Sequence, residues 1–414
     1  TQALGSEEVT NGDFSAEGSN LVDNPNFTDT GSELVTDGDF SSSANWYEGT
    51  GCTISGNQGI FTSAPSGSGF TGNNLNAAIC VVGKSYKVTY TIDSITSGSV
   101  GLRHPFTGTY YDNTSSFPLD VTEYVVADDT DIYIQNSGTT TATVSSVSVK
   151  ELGADWTEEV GDPDSVSFGE NGLTIIQSTD FGTDNRAYQL NVTSADKSYK
   201  VTYTIFDSSY TSTNKVQYYN GSSYVDLPEQ GAGTHTFYYT REGTNDIWIF
   251  NLATPTTSAT DFVTISSISV QELGEGWTLG TGWSIGEDIA SCDGTASSSL
   301  YQNVSGVENT TYKITGTVSN YTSGTLQVGG STNALEVSED GAFIHYRVWT
   351  SDPNLYLKSK PGDGFNGSIT NISVKEIATS YLTQAVSLSA KTWKIIYSVS
   401  DYIAGSVSAT DYGA

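Results

Sequence analysis

The chain has 414 residues, 36% of them hydrophobic, and carries 47 acidic against 16 basic residues for a net charge of −31. That length calls for about three domains, and the apolar share lies below the ~45–50% of ordinary globular chains, which disfavours a large α/β enzyme. Nucleic-acid binding needs a basic face that this chain lacks, and no run of ~20 apolar residues is present to cross a membrane as a helix.

The first forty residues hold a 13-residue repeat: GSEEVTNGDFSAE, GSNLVDNPNFTDT and GSELVTDGDFSSS. Val9, Val22 and Val35 mark it, as do Phe14, Phe27 and Phe40. One apolar pair and one Phe per copy are too few to fold alone. Residues 1–31 are therefore expected to be a leader that packs on a neighbouring module, a sister chain or a docking partner.

A longer repeat follows. YKVTYTI occurs at 86–92 and 199–205, YKITGTV at 312–318 and WKIIYSV at 393–399. The first three start at 86, 199 and 312, a period of 113 residues, which is a whole domain. Module 1 spans 32–153, module 2 spans 154–274 and module 3 spans 275–378. A partial fourth copy, 379–414, lacks the opening Trp segment and the closing strand. It is expected to be completed by residues outside this chain or by a symmetry mate. The absence of methionine points to a processed chain or a piece of a longer one.

Within the core strand, Tyr86, Val88, Tyr90 and Ile92 alternate with Lys87, Thr89 and Thr91, so one face is buried and one is wet. Each module closes with a related strand: ATVSSVSVKELG at 142–153, VTISSISVQELG at 263–274 and GSITNISVKEIA at 367–378. Its apolar spacing, three and then two, predicts a β-bulge. Trp46, Trp156 and Trp277 open the modules and are expected to plug cores. Almost no linker separates modules, which predicts a stiff rod. The architecture is all-β: tandem antiparallel β-sandwiches of jelly-roll type, with an extended N-terminal leader.

Candidate sites are few. Exposed aromatic rings stack on sugar faces, with amides or carboxylates for the hydroxyls. Tyr110–Tyr111 and Tyr218–Tyr219 lie in Gly/Asn-rich contexts and form one candidate glycan set. Tyr133, Trp248 and Tyr356, each between aliphatics, form a second set at positions read as equivalent. Asp128, Asp129 and Asp131, with Asp162 and Asp164, are candidate Ca²⁺ ligands, as are Asp13, Asp37 and Asp39 in the leader; none has EF-hand spacing. Cys52 and Cys80 share module 1 and are a candidate disulfide, while Cys292 is expected to be a buried thiol. No zinc spacing exists. The three histidines, His104, His235 and His345, fall in unrelated motifs, and no catalytic group repeats with the modules.

Three features together carry a resemblance: a leader of type LVxxGDFS, the central KSYKVTYTI followed by SGSV, and the closing VSSVSVKEL. They resemble the carbohydrate-binding-module-like jelly rolls found in tandem in structural proteins of tailed bacteriophages, marine ones especially. Relatives of that type carry Asp-Asn before the closing Val-Ser-Val. Ser145-Ser146, Ser266-Ser267 and Thr370-Asn371 stand there in this chain, a departure from an inherited calcium site. The resemblance implies a non-enzymatic virion structural protein, a fibre or a capsid or tail decoration. It would be homo-oligomeric and exposed at the virion surface. Its leader and partial fourth module would contact other virion proteins or sister chains, and host cell-surface polysaccharide is a further expected partner. The alternatives are a bacterial surface adhesin or filament subunit, and a glycan-binding appendage of a larger secreted enzyme.

Overall fold

The computed structural model describes residues 4–72, 78–103, 109–159, 165–176, 185–209, 216–243, 247–252, 261–329 and 333–377. All regular structure among them is β-strand, and every pair of named strands is antiparallel. The partial fourth module lies outside the described residues, as do His104, Asp162 and Asp164.

Each module is a pair of sheets. In module 3 one sheet runs Trp283–Gly286, Ile289–Asp293, Asn366–Ile377, Thr311–Ser323, Gly341–Val348. The other runs Thr278–Leu279, Ser299–Asn303, Asn354–Ser359, Leu326–Val328, Leu335–Val337. Module 2 repeats both orders. In module 1 two long strands, Ser85–Leu102 and Ile132–Leu152, run through both sheets and join them into a nine-stranded sheet. Gly98 and Gly138, at φ 72° and 76°, lie where these strands pass from one sheet to the other.

The predicted alternation of the core strand is observed. Tyr86, Val88, Tyr90 and Ile92 are buried, and Tyr199, Val201, Tyr203 and Ile205 repeat them. Buried side chains form three separate clusters, one per module. Trp46, Trp156 and Trp277 are buried in them. The bulge is present in each closing strand: pairing shifts between Ser145 and Val147, between Ser267 and Ile265, and between Thr370 and Ser373.

The leader is not a loose appendage. Its three copies lie on the three modules in reverse order. Leu4–Glu7 pairs with the closing strand of module 3, Glu17–Asn20 with that of module 2 and Thr30–Glu33 with that of module 1. Each covers the closing strand beyond its bulge, where an edge would otherwise stand open. The bulge also turns out one N–H that the ladder does not use. Ile372 N donates to Gly12 O, Ile268 N to Pro25 O and Val147 N to Gly38 O. Phe14, Phe27 and Phe40 then bury their rings against Trp277, Trp156 and Trp46, at centroid distances of 5.2, 5.0 and 4.8 Å. Each Trp Nε1 donates to a leader carbonyl, of Asn11, Asn24 and Asp37 respectively. The cores of modules 2 and 3 therefore contain residues from a distant part of the chain.

The two junctions between modules repeat one geometry. Leu152 belongs to the core cluster of module 2 and Leu273 to that of module 3, so each closing strand ends inside the next module. Phe168 N donates to Ser85 Oγ at 2.9 Å, and Ile285 N to Ser198 Oγ at 2.8 Å. Both serines are fully buried.

Candidate functional site

The leader pairs with the closing strand of one sheet of each module, and that sheet keeps a solvent face on which Tyr124, Tyr238 and Ile344 lie exposed. The second sheet of each module, here the open sheet, has a solvent face of its own. Strand alternation sends Tyr188, Tyr301, Tyr133 and Tyr356 outward while their neighbours turn in. In module 3, Tyr301 and Tyr356 lie directly across the ladder and stack at 5.4 Å with an interplanar angle of 30°. Asn354 Nδ2 donates to the Tyr356 hydroxyl at 3.3 Å. Burial raises the Tyr356 hydroxyl pKa, so it stays a neutral donor and acceptor.

A polar row runs beside the rings. Gln327 Nε2 donates to Glu336 Oε1 at 3.0 Å, and Lys360 Nζ donates to the other oxygen of Glu336 at 2.9 Å. These bonds, that from Lys360 first, lower the Glu336 pKa and keep it ionised. Module 2 repeats the amide–acid pair at the same ladder position: Gln217 Nε2 donates to Asp226 Oδ1 at 2.9 Å. Its rings are Tyr188 together with Tyr219, which lies 5.4 Å from Tyr224 with the Arg241 guanidinium 5.6 Å from its face. Arg186 also donates to the Tyr224 hydroxyl.

Module 1 varies the theme. Tyr47 is 64% exposed at the sheet edge and lies across Thr71 from Tyr133. The Arg103 guanidinium is 5.2 Å from the Tyr133 ring. The Tyr133 hydroxyl donates to Asp129 and Asp131, at 3.4 Å each. Its pKa is raised by burial first and by those two carboxylates next. These groups, with Cys80 and Leu102, line a small pocket. Tyr110 donates to Gln135 Oε1 at 3.3 Å on the same sheet, and Tyr111 turns inward against the core.

Several expectations need correction. Trp248 is fully buried and Tyr218 is 7% exposed, stacked on it at 5.7 Å, so neither ring can meet a ligand. The equivalence of Tyr133, Trp248 and Tyr356 is off by one residue. Tyr301 pairs with Tyr356, whereas Tyr188 pairs with Ile249 and the inward Gln189 pairs with Trp248. One residue of slip reverses the face. The two Tyr pairs are not equivalent either: Tyr110 lies on the edge strand Tyr110–Asp112, whereas Tyr218 and Tyr219 lie one strand further in. Cys52 and Cys80 are unbonded, buried thiols. Cys52 lies in the strand Cys52–Ser55, and Cys80 lies in the turn where its N–H bonds Thr130 O. Asp129 and Asp131 both meet the Tyr133 hydroxyl, but among the described residues no group of three or more His, Cys, Asp or Glu is placed to hold a metal ion. Cys292 is buried, as expected.

Sequence reasoning missed Tyr47, Tyr188 and Tyr301. A signal for two of them existed: Tyr188-Gln189 and Tyr301-Gln302 recur at the same 113-residue spacing as the core strand. The paired glutamines turn inward. Gln189 brackets Asp23 of the leader and Gln302 brackets Thr10, each by one donated and one accepted bond. One dipeptide thus serves the open face with its Tyr and the leader with its Gln.

No protein-family model matches the chain, and no curated protein matches it. Solved structures similar to it include the tandem CBM22 domains of Xyn10C from Paenibacillus barcinonensis, at 7% identity, 61% of this chain, 100% of that one and TM-score 0.22. A chain of Sulfolobus Turreted Icosahedral Virus is similar at 13% identity, 75% and 83% coverage and TM-score 0.17. So are the tandem CBM51 modules of the glycoside hydrolase Sp3GH98 from Streptococcus pneumoniae, at 7%, 54%, 93% and 0.17. The fold, tandem all-β sandwiches, stands on the sheets described above.

Proposed function

We propose that the chain is a non-enzymatic structural protein of a phage virion, a fibre or a capsid or tail decoration, whose open sheets contact host-surface glycan. The observation that carries the glycan reading is the open face repeated in series. In module 3 the stacked Tyr301–Tyr356 pair shares its sheet with the Gln327–Glu336 pair, in module 2 Tyr188 and Tyr219 share theirs with the Gln217–Asp226 pair, and module 1 has a varied version. Tyrosine faces offer flat apolar area to a pyranose ring, and fixed amide and carboxylate groups take its hydroxyls. Three such faces on one chain favour weak binding per module and strong binding to a repetitive polymer. The virion part of the reading is supported by the order of sequence motifs, and the leader that straps all three modules suits a part that bears load.

The test is a glycan array probed with the full chain, beside Tyr301→Ala/Tyr356→Ala and Tyr188→Ala/Tyr219→Ala variants. Binding to a bacterial polysaccharide, reduced at least tenfold by either pair, is the expected result. Binding that ignores both pairs removes the open faces from the account. No binding by a well-folded chain leaves a mechanical spacer.

A further inference from the structure

The leader cassettes and their grooves are not three copies of one fit. Gly12 and Gly38 occupy the same position in copies 1 and 3, where an added Cβ would come within 2.0 Å of Ile372 O and 2.1 Å of Val147 O. Copy 2 carries Pro25 there. Its groove differs to match. The bulges of modules 1 and 3 each contain a left-handed residue, Ser146 at φ 46° and Asn371 at φ 56°. Among the described residues, the closing strand of module 2, Phe262–Leu273, has none. A second difference runs in parallel. Glu7 and Glu33 accept the N–H groups of Val374 and Val149, and also take the hydroxyls of Ser373 and Ser148. Copy 2 meets Val270 N with the amide oxygen of Asn20 instead.

We infer that each groove is a keyed receptor for a 13-residue cassette, and that a second copy of this chain can supply the cassette. Copies 1 and 3 are interchangeable between the grooves of modules 3 and 1. Copy 2 is confined to module 2, because its proline would strike the bulge carbonyl elsewhere. The partner follows from the contacts: a cassette from another chain makes the same ladder, ring and side-chain bonds as one in cis, so exchange costs no contact. Such exchange links chains without new surface, and the proline enforces register by excluding the wrong groove. The inference does not depend on glycan binding.

The experiment opens one groove in the full chain. Val9→Asp/Phe14→Asp disables copy 1, and near-UV circular dichroism checks that module 3 stays packed; Phe14→Ala is the milder variant if it does not. Fluorescent peptides covering 4–16, 17–29 and 30–42 are titrated by anisotropy. The peptides 4–16 and 30–42 are expected to bind within tenfold of each other, 17–29 at least tenfold more weakly, and 17–29 bearing Pro25→Gly to recover. Mixing the opened chain with a Trp277→Ala chain, whose own copy 1 has lost its ring partner, should give a 1:1 dimer by light scattering. Absence of binding to a folded opened chain overturns the inference, as does equal binding of all three peptides or absence of the dimer.

Discussion

Replacing Phe27 with Ala tests whether a leader cassette is part of a module core. Phe27 is fully buried, with Trp156 at 5.0 Å and Phe168 at 6.2 Å, and its cluster is that of module 2. Burying an aromatic ring of at least ~150 Å² at ~25 cal/mol per Å² is worth about 4 kcal/mol, and Phe→Ala in cores costs about 3–5 kcal/mol. For a module of this size, about 3 kcal/mol lowers Tm by roughly 10–20 °C. The loss should fall on module 2, because modules 1 and 3 draw Phe40 and Phe14 from other copies. Hydrogen exchange read by mass spectrometry separates the modules. Amides of the strands Ser198–Ser208 and Phe262–Leu273 should exchange faster, while those of Thr311–Ser323 keep their protection. A drop spread evenly over all three modules, or none in module 2, would refute the placement of the cassette in that core.

Further expectations follow from single contacts. Asn20→Ala strips Val270 N and Val22 N of their acceptor and should cost about 1–3 kcal/mol in module 2 by denaturant titration. Gly153→Ala should weaken the junction of modules 1 and 2, because φ is 67° and an added Cβ comes 2.4 Å from the Phe168 ring; limited proteolysis near 153 would report it. Glu33 is pulled both ways: burial raises its pKa, but the bonds from Ser148 and from the N–H groups of Val149, Val35 and Leu34 outweigh it, and the net shift is down. Its stabilisation is therefore present above the ordinary glutamate pKa and lost as pH falls through the lowered one. Acid should release copy 3 in that window, and Glu33→Gln should flatten the dependence seen by Trp46 fluorescence. Burial, then Glu48, pushes the Cys52 thiol up to about 11; burial, then Asp131, pushes Cys80 up to about 12. Both should resist iodoacetamide at pH 8 until the chain unfolds, and rapid labelling of the native chain would contradict their burial.

Period-two alternation and its break in the closing strands were enough to read the buried face of the core strand and the bulge. These are local properties: residue order along one strand decides which side faces the core. The leader repeat was legible as a repeat, and its apolar poverty said that it must pack elsewhere. What it packs on was not legible, because Phe14 and Trp277 are 263 positions apart and nothing along the chain between them records the contact. Trp248 failed for a related reason. Between two aliphatics it looks like an outward residue, but the pairing of Gln189 with Trp248 shifts the strand by one position and turns the ring inward. The open face needed three dimensions too, since Tyr301 and Tyr356 meet only across a ladder. Sequence by itself determined the strands, because side-chain period is a one-dimensional quantity. Tertiary structure alone decided which strand each cassette completes, because register and long-range pairing depend on contacts between segments rather than within them.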